Sequence, residues 1–436
     1  MKAKRLAALG LVLLMLVSIT GCAGTRNGEA KENPDTQADA ARLEEQTGLT
    51  VVSVLVDLPM ETKGNAPAGE VMQKTLRRMP GYMKDFMLKI EFIPPAYDGQ
   101  ERQIAMSRLR TEIMAGKGPD LLLCSQKLYG CYSSGEKDTP FFNFPAQAME
   151  NHLFLPLDEY MEKAEYLDMD SLQPVVMAAG RSEEGQQILP LAYTCRVTLF
   201  DREEYTPTAE LPMTWEEMTE DSDPAIRFSS HQYLPNIIGE LADYSKDEPA
   251  FTEEELRTWA GRSFATWQTI PENLREDQPL YLPIDLWMLD NCQVDLAGER
   301  EYTMIPCYNL SGGVTAEITA FGAINRNARR PEEAFRVLDY LMDSEIQQSS
   351  PLFQSRISGI PVYTGTGNSD TPATSYWKMN EANYQAFTRV QEQINVANFP
   401  GPLDECLWMV ESYNQEVLEK SCHEQYMLMK MYLAES

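Results

Sequence analysis

The sequence predicts an α/β fold built on a largely parallel sheet, and three observations carry that expectation. Apolar runs of strand length recur at residues 48–57 (GLTVVSVLVD), 86–93 (FMLKIEFI) and 120–124 (DLLLC). The intervening segments, 69–79 and 100–115, carry apolar residues at helical spacing. Strand, helix, strand, helix, strand is the order of βαβ units, whose strands lie buried on both faces and read as continuous β-branched runs.

Each element has its own local reason. In the helix predicted over 100–115, Ala105, Met106, Leu109 and Ile113 share one face, and Gly116 is placed to stop it. Gly118-Pro119-Asp120 then forms a tight turn into the third strand: the glycine relieves the backbone, the proline fixes φ, and the aspartate caps. Strands are further predicted over 187–199, bent at Pro190, and over 304–307 and 316–324. A helix is predicted over 331–348, with Pro331 in its first turn and Glu332 and Glu333 at its positive end. A long helix is predicted over 403–433, with a stripe that includes Leu407, Val410, Leu418 and Cys422.

The charge narrows the function classes. Among 436 residues, 66 acids outweigh 37 lysines and arginines, for a net charge of −29. Such a surface repels nucleic-acid phosphates and anionic bilayers, so no nucleic-acid partner is expected. Three histidines, His152, His231 and His423, lie far apart in sequence. No metal site, cofactor or catalytic residue is expected: no HExxH, GxSxG, P-loop or GxGxxG occurs, and Asp168-Met169-Asp170 lacks the rest of a calcium loop. The length predicts more than one domain.

The amino terminus reads as an export signal. Lys2, Lys4 and Arg5 precede an apolar run over 6–19, short of the roughly 20 residues a membrane span needs. The run ends in Ile19-Thr20-Gly21-Cys22, which resembles a bacterial lipobox, so residues 1–21 are expected to be a lipoprotein signal peptide and Cys22 the lipidated residue. Residues 22–47 are polar, with few large apolar groups, and are expected to be a flexible tether. The body is thus expected at the cell membrane, lipid-anchored on the extracellular face or periplasmic side. The other cysteines, at 124, 131, 195, 292, 307, 406 and 422, are odd in number and form no disulfide framework. Cys124 with Cys131, or Cys292 with Cys307, remain open as pairs, and most are expected to be small buried groups.

An ordered series of motifs along the mature chain resembles one family. The segments IMAGKGPDLLL (113–123), LFLPLDEYM (153–161), GQQILPLAYTCRVTLFDREEY (185–205), MTWEEM (213–218), FGAINRNARRPEEAFRVLDYLMDSEIQ (321–347) and GIPVY (359–363) are similar, in that order, to segments of the extracellular solute-binding proteins of bacterial ABC importers, the sugar-type branch (family 1 lipoproteins). Ile188 and Leu189 stand where that family usually has Tyr-Gly. The resemblance implies an α/β, two-lobe periplasmic-binding-protein-like fold (type II), with the ligand cleft between lobes joined by crossover strands. Lobe one would hold 48–157 plus 301–348, and lobe two 158–300 plus 349–436. It implies a receptor that captures a small solute, most readily a carbohydrate or oligosaccharide, closes about its hinge and delivers the solute to ABC transporter permease subunits. The receptor is expected to be a monomer without enzymatic activity. A tethered glycan or peptide sensor on the same fold, without transport, is the alternative.

Sugar clefts combine aromatic faces, which stack on pyranose C–H groups, with polar tips that read hydroxyls. The resemblance places His231, Gln232 and Tyr233 in a polar-aromatic loop of lobe two, Trp287 before the return to lobe one, and Tyr193 near the cleft edge. Tyr384 and Phe387 open a late helix that faces the ligand. On lobe one, Cys124, Ser125 and Gln126 sit at the carboxyl end of a strand, where α/β sheets bind ligands.

Overall fold

The computed structural model describes residues 35–58, 68–94, 99–126, 139–207, 214–231, 233–276, 280–283, 294–355, 357, 359–373, 375, 377–411 and 414–435. Helix α1 (Thr36–Thr47) leads into β1 (Thr50–Asp57). Helix α2 (Ala68–Leu76), β2 (Phe86–Phe92), α3 (Gly99–Met114) and β3 (Leu121–Ser125) follow, each within two or three residues of its predicted place. β1 pairs in parallel with β2 on one side and β3 on the other, the arrangement the alternating pattern predicts.

Helix α4 (Pro145–Glu150) leads on to β4 (Ile188–Asp201), a long strand buried along almost its whole length. Further on come α5 (Glu253–Thr269), β5 (Leu280–Pro283), β6 (Tyr302–Pro306) and a second long buried strand, β7 (Val314–Ile324). Helices α6 (Pro331–Leu341) and α7 (Glu381–Glu392), strand β8 (Ile394–Asn398), and helices α8 (Pro402–Trp408) and α9 (Gln415–Glu435) complete the described chain.

β4 and β7 each change partners midway. The first half of β4 runs antiparallel to β7, and its second half lies between β5 and β6. β7 pairs with β3 through residues 320–324 and with β8 through residues 314–317. Register shifts at Ile318–Phe321 mark where the ladder between the two strands bends. One lobe is therefore built on β1, β2, β3, the first half of β4 and the carboxyl half of β7, the other on β5, β6, β8, the second half of β4 and the first half of β7, with β4 and β7 crossing between them. Residues 35–436 cluster as one compact unit, and the lobes also touch away from the crossing, where Gln147 meets Asp247.

Three expectations are corrected. The tether does not extend through residue 47: Asp35 caps α1, and Glu44 holds it to the body through Arg329 and Arg330. Polar contacts dock this helix, with only Thr36 and Ala40 buried, so no apolar stripe betrays it. The helix predicted over 331–348 breaks after α6, where Asp343 caps a new helix by accepting from the Glu345 and Ile346 N–H groups. The helix predicted over 403–433 is likewise two: α8 ends at Trp408 and α9 begins at Gln415.

Two turns follow the sequence closely. Gly118 takes φ +91°, and Asp120 beyond it accepts from the Ser53 N–H and hydroxyl in β1 and from the Arg329 and Arg330 N–H groups ahead of α6. That one carboxylate ties three segments together. Thr214 and Glu217 form a reciprocal capping box at the helix start read in MTWEEM. Residues 158–167 lie against α6: Tyr160 meets Phe335, and Asp339 accepts from the N–H groups of Glu165, Tyr166 and Leu167.

Candidate ligand-binding site

The crossing brings a buried ion pair to the middle of the molecule. Arg196 of β4 and Glu317 of β7 meet at 3.0 Å, both almost fully buried. Glu317 is the lone charge of β7 and Arg196 the lone charge in the buried part of β4, and the two strands bury these opposite charges by pairing. The Tyr233 ring covers the guanidinium, with its centroid 4.1 Å from the Arg196 Cζ. Asp404, in the first turn of α8, adds a third charge. Burial first, and then the negative charge of Glu317, push its carboxyl up to about 7, although the Gly401 N–H donates to its Oδ2 at 2.7 Å.

Asp404 lines a cavity of about 640 Å³ that draws on both lobes. Phe144 and Glu150 come from the α4 side, Glu240 and Tyr244 from the segment after Gly239, and Asn398 and Phe399 from the end of β8. The lobes touch at its margin, where the Phe144 and Tyr244 rings lie 6.3 Å apart and Gln147 Nε2 donates to Asp247 Oδ1 at 3.0 Å.

The sequence-predicted residues fall into four groups. Tyr233, Ser125 and Gln126 reach the crossing: the Gln126 N–H donates to the Thr319 carbonyl of β7, its Nε2 donates to the Phe142 carbonyl, and the Ser125 hydroxyl donates to the Asp57 carbonyl. Tyr193, Cys124 and Phe387 have no exposed surface and pack in the main apolar core, the Tyr193 hydroxyl taking the Gln391 amide at 2.7 Å. Tyr384 is partly buried against the same core. His231 lies apart from the cavity lining, stacked at 4.4 Å on Trp267 and bonded to Ser263 of α5, and burial takes its ring down to about 4. Trp287, Gln232, Cys22, Cys131 and Cys292 lie outside the described residues.

Sequence reasoning did not single out Arg196, Glu317, Asp404 or the buried pair of Asp57 with Arg102, whose Nη1 donates to Asp57 Oδ1 at 2.8 Å. The signal for the first two was legible: Arg196 interrupts LAYTCRVTLF and Glu317 interrupts VTAEITAFGAI.

No family model and no curated protein sequence matches the chain. Solved structures do match. An extracellular solute-binding protein family 1 from Alicyclobacillus acidocaldarius aligns over 88% of this chain and 98% of its own at 14% identity, with a TM-score of 0.55. The fold is that of the extracellular solute-binding proteins. The sugar-binding protein MalE from Xanthomonas citri aligns over 88% and 98% at 13% identity, with a TM-score of 0.57. A periplasmic oligogalacturonide binding protein from Yersinia enterocolitica aligns over 88% and 99% at 14% identity, with a TM-score of 0.56. Two designed esterases share the solute-binding fold as well, so the chemistry has to be argued from the site.

Proposed function

We propose that this chain is a membrane-anchored receptor that captures a small solute, most readily a carbohydrate, in the cavity between its lobes and passes it to an ABC permease. The partner change of β4 and β7 carries the reading: two strands shared by both lobes form a flexible joint with the cavity beside it. The sugar-binding neighbours support the solute class. The resemblance at Cys22 supports a lipid anchor, and no described helix is long and apolar enough to cross a membrane.

Away from the cavity, the described thiols and His231 are held in neutral, buried forms. Burial raises the Cys195, Cys307 and Cys406 thiols to about 12 and Cys422 to about 11, far from thiolates at neutral pH. His231 stays neutral and sequestered. The proposed contacts are the cavity-lining Phe144, Tyr244, Asn398 and Phe399, with Trp287 and Gln232 as further contacts; Tyr233, Ser125 and Gln126 lie at the crossing, outside that lining. The lobes are proposed to part within β4 and β7, with residues 158–167 moving as part of lobe one because they pack on α6.

Shifting a receptor from 1% to 99% closed needs about 5.5 kcal/mol of differential binding. Ring stacking and a few hydrogen bonds in a dry cleft supply energy of that order. Isothermal titration of the mature protein against an oligosaccharide panel, with scattering before and after ligand, tests the reading. Saturable binding with a smaller radius of gyration is expected. A folded protein that binds no oligosaccharide loses the sugar assignment. Deleting the gene and following uptake separates transport from sensing.

A further inference from the structure

The cavity is lined by more acids than the described basic residues pair, and one of them is buried. Glu150, Glu240, Asp243 and Asp404 all line it, and no lysine, arginine or histidine is among its described lining residues. Acids at a rim are ordinary, and Asp243 is already paired with Lys246. Asp404 is different. It is 5% exposed, and its carboxyl takes hydrogen bonds only from main-chain N–H groups of its own helix start, those of Gly401 and of Asp404 itself, with no side-chain donor among the described residues. The guanidinium within electrostatic reach, Arg196, is engaged by Glu317 and by the Tyr233 face. Two buried carboxyls thus share one buried cation, and the surplus one opens on a cavity. A buried carboxylate without a counter-charge is costly, so a guest that brings positive charge binds there with a gain that a neutral guest lacks.

Other features of the cavity fit an organic cation. The rings of Phe144, Tyr244 and Phe399 line it, and aromatic faces attract ammonium groups. No group of three His, Cys, Asp or Glu side chains among the described residues is placed to hold a metal ion.

We propose that the solute carries a protonated amine, and that its ammonium group sits against Asp404 with the aromatic rings around it. This rests on the cavity being the ligand cleft, and it narrows the solute class from sugars in general to amine-bearing solutes such as an amino sugar. The shared chemistry is the ammonium group, which an amino-sugar oligomer or a polyamine would supply.

The test is titration calorimetry on the mature protein at pH 7 with four probes: the glucosamine trimer, the N-acetylglucosamine trimer, maltotriose and spermidine. The two acetyl states of one trimer differ mainly in charge. Binding of the free-amine trimer about tenfold or more tighter than its acetylated form is expected. Asp404→Asn should lose about tenfold for the ammonium probe, and Glu240→Gln, at the rim, about twofold to threefold. Melting curves of both variants verify folding. Binding of spermidine alone keeps the ammonium proposal and removes the sugar. Neutral trimers binding as well as or better than the charged one overturn the proposal and leave the receptor reading standing. A folded protein that binds none of the four overturns both.

Discussion

Asp120 and Asp57, in the lobe built on β1, β2 and β3, are saturated by donors, whereas Asp404 and Glu317 at the crossing share one guanidinium. Asp120 takes the Ser53 N–H and hydroxyl and two N–H groups from residues 329–330. Asp57 takes both Nη groups of Arg102 and the Phe141 N–H. Each acid joins segments far apart in sequence, and each is a structural fastener whose removal frees several buried partners. Asp404 fastens little beyond its own helix cap. A buried acid with full coordination holds a fold together, and one with a deficit beside a cavity is available to a guest.

The sharpest break of that comparison is Asp120→Ala. It strands four donors, each costing about 1–3 kcal/mol when buried and unmet, so a loss of roughly 5 kcal/mol is expected. Urea unfolding with an unchanged slope checks it. If the midpoint barely moves, Asp120 is only a turn residue and the contrast with Asp404 fails. Arg102→Met comes next. It leaves the Asp57 carboxylate buried with the Phe141 N–H as its remaining donor, and breaking a buried pair from one side costs about 3–5 kcal/mol. The companion change Asp57→Asn in the Arg102→Met background should recover part of that loss, which a double-mutant cycle reads directly.

Asp404→Asn should act in the opposite direction. The folded carboxyl titrates near 7, above the 3.8 of an unperturbed aspartate. Between those values the folded state holds a proton that the unfolded state releases. Asp404 therefore contributes stability below about pH 4, and that stability is lost as pH rises to 7. Asparagine has no charge to bury, so the variant should exceed the parent by about 4 kcal/mol at pH 8 and match it near pH 4. Paired thermal melts at the two values decide it. Equal melts at pH 8 would mean that a counter-charge for Asp404 exists without any guest.

The same contrast explains what could be read from the sequence. The β1–α2–β2–α3–β3 order was legible because buried parallel strands are apolar throughout and the turns between them carry glycine, proline and aspartate. The capping box at Thr214 was legible because its chemistry is local. Which aromatics face a ligand was not. β4 is covered on both faces, so alternation cannot separate a cleft-facing Tyr193 from a core one, and the structure places Tyr193 in the core. Helix α1 escaped because ion pairs dock it, and Asp404 because its burial depends on segments brought together only in the folded chain.

Glu44 gives the smallest expected effect and fixes the scale of the others. Burial raises its carboxyl, but hydrogen bonds from Arg330, the Val51 N–H and Arg329 outweigh that and hold it at about 2. Its folded pKa lies below the unperturbed 4.5, so its contribution is present above pH 4.5 and is lost as pH falls toward 2. The carboxylate is partly open to solvent, which screens the pair, so Glu44→Gln should cost only about 1 kcal/mol at pH 7. The loss should be local. Hydrogen exchange in α1 should quicken, while β1 to β3 keep their protection, because Asp120 independently ties residues 329–330 to β1. Exchange that quickens through β1 and β3 as well would show that α1 is a structural fastener on the same footing as Asp120, and the division between saturated and spare acids would have to be redrawn.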